Sequence, residues 1–325
     1  MNRLEELVKG ARTIAVSGHI RPDGDCVGSV LAVSRYLKCT MPEAQVWTIL
    51  QKPPLVFHCL AGVEEIHTPV EFMGGRKKAP EVFDAFIMLD GEASRMGDIL
   101  PVFERAALKI NIDHHISNPG TGDINVLLPE ASSTCEVVYG LMDPGKLDAE
   151  MAKALYLGIA HDTGVFRYSN TSPKTLRIVA ELIGYGFDFT KLIDDTYYKK
   201  TYLQSQILGR ALLESVRFMD GGCIFSVIHK KTMDFYGVSL GDLSGIIDQL
   251  RIIEGVECAI FMYELNTLEY KVSMRSNEWI DVARVAAYFG GGGHVRAAGC
   301  TMQGTSHDVI NNLSEQIAQQ WRKEC

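Results

Sequence analysis

Imidazoles and carboxylates stand at the ends of short apolar runs in this chain, an arrangement suited to holding hard metal ions. Ala107-Leu108-Lys109-Ile110 leads into Asn111-Ile112-Asp113-His114-His115. Ile14-Ala15-Val16-Ser17-Gly18 leads into His19, followed by Asp23 and Asp25. Phe86-Ile87-Met88-Leu89 ends at Asp90, and Leu157-Gly158-Ile159-Ala160 ends at His161-Asp162. Each residue alone has an ordinary use. Asp25 can cap the helix that begins beside it, Asp90 can be a turn residue, Asp162 can open an Asp-Thr-Gly turn, and His114 and His115 can be loop histidines. Their coincidence at four apolar-run ends points instead to one shared site.

The donor set is imidazole plus carboxylate, without thiolate. It suits Mn²⁺ or Mg²⁺, with Fe or Co also accommodated, over structural zinc. Four carboxylates with at least two histidines exceed what one open catalytic ion needs. Two divalent ions ~3.5–4 Å apart, sharing one carboxylate, fit better. Such a pair activates water near neutral pH and stabilises charge on phosphoryl oxygens, so the inferred chemistry is hydrolysis at phosphorus.

Strands and helices must bring these segments together. Strands are expected at 12–18, 44–50, 84–89, 107–112 and 123–128. Helical periodicity falls between them, from Asp25 to Lys38 (Val27, Val30, Leu31 and Leu37 on one face) and near 132–142, 148–160 and 173–185. Asp148 and Ser172, the latter before Pro173, read as helix starts. The alternation predicts an α/β fold: an N-terminal doubly wound, mainly parallel sheet with helices on both faces. Such sheets bind ligands beyond the carboxyl ends of their strands, where His19, Asp90 and Asp113 would fall. Residues 187–218 read as a polar-aromatic helical connector, and the pattern then resets. Strands at 223–229, 256–264 and 268–275 and helices near 242–252, 281–288 and 306–322 predict a smaller C-terminal α/β domain. The expected division is 1–190, a connector 191–218, and 219–325, with the active site in the cleft between the two domains.

Composition narrows the partners. A hydrophobic content of 46% suits globular cores. No apolar stretch has the ~18–20 residues of a membrane span, and the N-terminus lacks an apolar signal region, so a cytoplasmic protein without membrane association is expected. A net charge of −8 without a long basic run disfavours long duplex nucleic acid. The dense basic cluster Arg76-Lys77-Lys78 reads as a solvated loop. Eight cysteines contain no C-x-x-C pair and read as free thiols.

A second anion-binding signal lies near the C-terminus. Gly290-Gly291-Gly292-Gly293-His294 follows a helix ending at Tyr288-Phe289. A glycine run can simply turn the chain. It can also form a backbone amide nest for a phosphate, with His294 as a further donor. Arg275, at the end of an expected strand and next to Ser276, could grip a phosphate bidentately.

Together these motifs resemble the DHH phosphoesterase family, named for a triplet present here as Asp113-His114-His115. The resemblance runs through "SGHIRPDGDCVGS", "LDGEASRMGD", "INIDHHISN", "ASSTCEVVY" and "GIAHDTGVFRYSNTSPKTLRIVAEL" to "VSMRSN" and "GGGGHVRAAG". It is nearest to the bacterial bifunctional oligoribonucleases that also dephosphorylate pAp (3′-phosphoadenosine 5′-phosphate). It implies that His19, Asp23 and Asp90 hold one ion and Asp25, Asp90, His114 and Asp162 the other, with Asp90 bridging. It further implies that Asp113 orients histidine from behind and that His115 lies close enough to contact the scissile phosphate or to tune the metals. Arg275, Ser276, Gly291, Gly292, Gly293 and His294 would hold the substrate, aided by Arg95, Ser133 and Thr134. The implied activity is Mn²⁺-dependent hydrolysis of short single-stranded RNA and pAp, with Mg²⁺ or Co²⁺ as other ions and a homodimer as a candidate assembly. Inorganic pyrophosphatase and a non-catalytic nucleotide sensor are the alternatives. Glu92 departs from the family pattern, which usually has a small hydroxyl residue after the Asp90 position.

Overall fold

Burial is nearly continuous along the central strands of the first sheet because both of its faces are covered. In the computed structural model, which describes residues 3–75 and 79–321, the chain divides into two compact units between Lys199 and Lys200. The basic cluster Arg76-Lys77-Lys78 lies outside the described residues.

The first unit contains strands β1 (Thr13–Ser17), β2 (Gln45–Thr48), β3 (Ala85–Leu89), β4 (Lys109–Asp113) and β5 (Ile124–Leu127). All pair in parallel, in the order β2-β1-β3-β4-β5. Its helices are α1 (Leu4–Leu7), α2 (Gly24–Thr40), α3 (Pro69–Met73), α4 (Leu100–Arg105), α5 (Thr134–Leu141), α6 (Ala149–Asp162), α7 (Pro173–Ile183) and α8 (Phe189–Ile193). Ile14, Val16, Ala85, Ile87 and Leu89 pack with α2, α5, α6 and α7. Ala15, Phe86 and Met88 point the other way, into a smaller cluster with Val102 and Phe103 of α4. This two-sided burial explains why the strands read as continuous apolar runs. The strand order reverses between β1 and β3, and ligands bind beyond the strand ends at such a switch point.

Helices α2 and α6 cross with little clearance. A Cβ on Gly28 would lie 2.4 Å from the Ala154 carbonyl oxygen, and one on Gly158 would lie 2.9 Å from Asp25 Oδ1. The two glycines thus set how close the helix carrying Asp25 comes to the helix ending at Asp162.

The second unit has α9 (Tyr202–Leu213), β6 (Val216–Phe218), β7 (Cys223–Ile228), α10 (Lys230–Tyr236), α11 (Ile246–Arg251), β8 (Cys258–Asn266), β9 (Glu269–Ser276), α12 (Val282–Tyr288), β10 (Gly292–His294), β11 (Ala297–Gln303) and α13 (Ser306–Ala318). The sheet order is β10-β11-β9-β8-β7-β6, antiparallel except for the parallel pair β7–β8. Cys258, Ile260 and Met262 of β8 face a core with α12 and α13. Ala259 and Phe261 face another with α9, α10 and α11.

Two local expectations are corrected. The stretch 187–218 is not one helical connector. It holds α8, a π-turn at Asp194–Tyr198, a break, α9 and then strand β6. Ile207 and Ala211 of α9 pack into the second unit's core, and the Val216–Phe218 alternation serves an edge strand. The glycine run is not wholly a loop either, because Gly292–His294 pairs with Ala297–Gly299. A Cβ on Gly293 would sit 2.5 Å from the Ala297 carbonyl oxygen, so glycine permits the pairing.

Gly28→Ala is expected to lower stability by about 1–3 kcal/mol, the usual cost of overpacking, despite alanine's better helix propensity. Urea unfolding of both proteins checks this, and an unchanged or raised midpoint would show that α2 and α6 can separate freely.

Candidate metal centre

The parallel sheet delivers its polar residues to one edge because each of three adjacent strands ends at the same level. His19 follows β1, Asp90 follows β3, and Asp113 is the last residue of β4. Asp25 enters from the first turn of α2 and Asp162 ends α6. Leaving β3, Asp90 takes a left-handed conformation (φ 59°) and Gly91 has φ 140°. Aspartate tolerates that region better than most residues do. The turn is pinned from below: Asn111 Nδ2 and Asn118 Nδ2 donate to the Gly91 carbonyl at 2.8 and 3.0 Å.

The side chains converge. His19 Nε2 lies 3.3 Å from Asp90 Oδ2 and 3.8 Å from Asp23 Oδ1. His114 Nε2 lies 3.1 Å from Asp162 Oδ2, 3.9 Å from Asp90 Oδ1 and 4.0 Å from Asp25 Oδ2. One Asp90 oxygen therefore faces His19 and the other faces His114. Donor atoms of Asp25, His114 and Asp162 all lie within 4.8 Å of one another, as do those of Asp90, Asp113, His114 and His115. His19 Nδ1 sits 2.7 Å from the Ile20 carbonyl, so its N–H is used there and Nε2 faces the carboxylates, able to present a lone pair to a cation once its own proton leaves. That tautomer, with this density of oxygen donors, fits divalent cations.

Electrostatics make the same case. Asp25 is 1% exposed, and its oxygens accept the Thr134 and Cys135 backbone N–H groups at 2.6 and 2.9 Å, at the start of α5. Burial, and then the charges of Asp90 and Asp162, still push its carboxyl well above the ordinary range. Burial and the charges of Asp90 and Asp23 push Asp162 up to about 8. For His19, burial works against the proton, but hydrogen bonds to Asp23 and Asp90 prevail and raise it. Without a cation, the cluster takes up protons to relieve its own repulsion.

Asp113 behaves differently. It is fully buried and accepts from the backbone N–H of His114 (2.7 Å) and His115 (3.2 Å), from His115 Nδ1 (2.8 Å) and from Asn118 Nδ2 (2.6 Å). Burial alone would raise its carboxyl, but hydrogen bonds from His115 and Asn118 hold it at about 2. The ion pair with Asp113 in turn raises His115. Asn118 also donates to Asn111 Oδ1 at 3.0 Å. Neither asparagine was singled out from the sequence. The available signal was Asn111, an amide between Ile110 and Ile112 in a segment expected to be a strand.

The other candidates fall elsewhere. Thr134 Oγ1 donates to Asp90 Oδ1 at 3.2 Å, inside the cluster. Ser133 instead caps α5, its hydroxyl accepting the Glu136 N–H at 3.1 Å. Arg95 is exposed, and its charge acts on His115. In the second unit Arg275 is partly exposed on β9, with Nε 3.5 Å from Asp248 Oδ1. Ser276 alternates to the opposite face, is buried, and donates to the Ile280 carbonyl at 2.6 Å, so it shapes the turn rather than presenting a hydroxyl beside Arg275. Gly292, Gly293 and His294 are exposed on the edge strand, while Gly291 is half-buried against β11. Glu257, also missed, accepts the N–H groups of Glu278, Trp279 and Ile280 at 2.9, 2.8 and 2.8 Å and fixes the same turn.

Comparison with known proteins agrees with this architecture. The model of the DHH family, N-terminal domain, matches residues 13–159, and that of the DHHA1 domain matches residues 221–323. A Thermus thermophilus protein named bifunctional oligoribonuclease and PAP phosphatase NrnA is 33% identical over 312 residues, spanning 95% of this chain and 90% of its own. An exopolyphosphatase-related protein from Bacteroides fragilis shares the fold with a TM-score of 0.87 at 24% identity, over 97% of this chain and 94% of that one. RecJ from Thermus thermophilus, solved with Mn²⁺, has a TM-score of 0.52 at 14% identity, over 97% and 53% of the two chains. With both domain types matched and a relative aligned almost end to end, the chain belongs to the DHH phosphoesterase family.

Proposed function

We propose that this chain hydrolyses short oligoribonucleotides, linear dinucleotides among them, to mononucleotides, and dephosphorylates pAp to AMP, using two divalent ions, preferentially Mn²⁺. The observation that carries the proposal is the Asp90 carboxylate with one oxygen toward His19 and the other toward His114. The name of the Thermus thermophilus relative supports the substrates, and the oxygen-rich donor set and the RecJ complex support manganese. Free thiols at the described cysteines suit a cytoplasmic setting.

In this reading His19, Asp23 and Asp90 hold one ion, and Asp25, Asp90, His114 and Asp162 the other. When bound, the ions supply Lewis-acid stabilisation of phosphoryl charge and lower the pKa of water. The chain does the rest. The start of α5 fixes the Asp25 carboxylate through two N–H groups. Asp113 stays ionised, takes the Nδ1 proton side of His115 and leaves the opposite ring nitrogen to donate to a phosphoryl or leaving oxygen. The raised His115 keeps that proton at neutral pH more often than a free imidazole does. Arg275, with His294 and the Gly291–Gly293 backbone, binds the substrate's terminal phosphate and base, and Arg95 adds positive charge beside His115.

Release of mononucleotide from a 5′-labelled RNA trimer, and of phosphate from pAp, with Mn²⁺ tests the proposal. Tight binding without turnover would favour a sensor, and cleavage of pyrophosphate alone a pyrophosphatase. Asp90→Asn is expected to lower kcat/KM by about 10³-fold, equivalent to about 4 kcal/mol, since the amide offers one neutral oxygen and cannot serve both ions. Asn118→Ala removes no ligand but frees Asp113 and the Gly91 turn, and a loss of about 10–100-fold is expected. Arg275→Ala should raise KM while kcat holds, and unchanged kinetics would remove Arg275 from the substrate site.

Metal binding should also depend on pH in a defined direction. Folded-state values raised from the ordinary 3.8, to about 8 for Asp162, mean that the metal-free cluster contributes stability below about pH 4 and loses it as pH rises through about 8. Manganese must displace those protons, so its affinity should climb over the same window and level off above it. Calorimetric titration with Mn²⁺ from pH 6 to 9, with Tm in the presence and absence of the ion, reads both. A pH-independent affinity would mean that Asp25 and Asp162 do not share the ion.

A further inference from the structure

The two proposed metal positions differ in the kinds of donor within reach. Cys26 Sγ, a His19 ring nitrogen and an Asp90 carboxylate oxygen lie within 4.8 Å of one another, and all three residues are buried. The other position, Asp25 with His114 and Asp162, offers only oxygen and nitrogen. Cys26 is held where it is by two constraints. Its backbone N–H donates to Asp23 Oδ1 at 3.1 Å, in the first turn of α2. Its sulfur fills the space beside residue 18, where a Cβ would come within 2.3 Å of Sγ, so Gly18 leaves room for a thiol next to His19. Cys135, the other thiol near the cluster, has its sulfur 3.6 Å from the Asp25 backbone oxygen and joins no such three-donor group among the described residues.

We propose that Cys26 is a sulfur donor to the ion held at His19 and Asp90, making that position selective for softer divalent ions and leaving the Asp25–His114–Asp162 position to hard ones. The proposal rests on reading the cluster as a two-ion centre. It also revises the thiolate-free donor set expected from the motif spacing. Sulfur favours zinc, cobalt and cadmium over manganese and magnesium, so one thiol among oxygens is enough to make the two positions unequal. On binding, a metal–sulfur bond forms, the S–H bond breaks, and the proton leaves to solvent; no electron changes hands. The consequence restricts the manganese preference proposed above to the second position, with a trace soft ion taking the first.

Cobalt titration of the whole chain tests this without using activity. Visible d–d bands report Co²⁺ in the centre, and a near-ultraviolet sulfur-to-cobalt charge-transfer band reports the thiol. Wild type and Cys135→Ser should show both, and Cys26→Ser should keep the d–d bands and lose the charge-transfer band. Cys26→Ser should also weaken Cd²⁺ by about tenfold or more while Mn²⁺ affinity stays within about twofold. X-ray absorption of zinc-loaded wild type needs no variant, and should show sulfur at about 2.3 Å on one of the two zinc ions, an average of about half a sulfur per zinc. Absence of the sulfur scatterer, or a charge-transfer band that survives in Cys26→Ser, would overturn the role of Cys26 and leave the two-ion centre standing. Absence of any d–d bands in wild type would overturn both.

Discussion

Four aspartates held close together at the edge of a parallel sheet set the terms for the first unit. Carboxylates taken from water cost several kcal/mol each unless something compensates them. Here they repel one another as well, which is why Asp25 and Asp162 hold protons far above the usual carboxylate range. A divalent cation replaces those protons and turns the repulsion into attraction. Folding and metal binding are therefore coupled, and the scaffold must hold an arrangement that is unfavourable without its ions.

Rigid elements meet that demand. Adjacent strands ending at one level bring His19, Asp90 and Asp113 together, and the close α2–α6 crossing at Gly28 and Gly158 brings Asp25 toward Asp162. The start of α5 supplies two N–H groups to Asp25. Behind the cluster, Asn111, Asn118 and Asp113 form a saturated hydrogen-bond network that fixes the Asp90–Gly91 turn and the His115 ring. The ionised Asp113, fully buried, and the proton-retaining Asp162, half-buried, are aspartates of neighbouring positions in the same cluster. They differ because hydrogen-bond donors surround the first and other carboxylates surround the second.

The second unit follows a different logic. One face of its mixed sheet packs a core along β8, β9 and β11, and the other packs a second core along β7 and β8. The glycines of β10 let an edge strand lie against the small residues of β11, leaving His294 and backbone groups open. Arg275 lies one strand further in, on β9, with its guanidinium beside Asp248.

Much of this was legible in the chain itself. The β1, β3 and β4 segments are short apolar runs ending in a donor, and period and polarity are local properties, so these strands and most of the metal-site candidates follow from residue order alone. Edge strands β6 and β10 were missed because three residues carry too little alternation to stand out, and their pairing is decided by partners far along the chain. Ser276 was placed beside Arg275 by proximity in sequence, yet strand pleat sends it to the opposite face. Residue types and spacing fixed which atoms could bind a metal. Only the tertiary structure decided which of them share an oxygen of Asp90, that Asn111 and Asn118 support them, and that Cys26 joins His19, because distances between side chains from different strands and helices are set by packing and not by order along the chain.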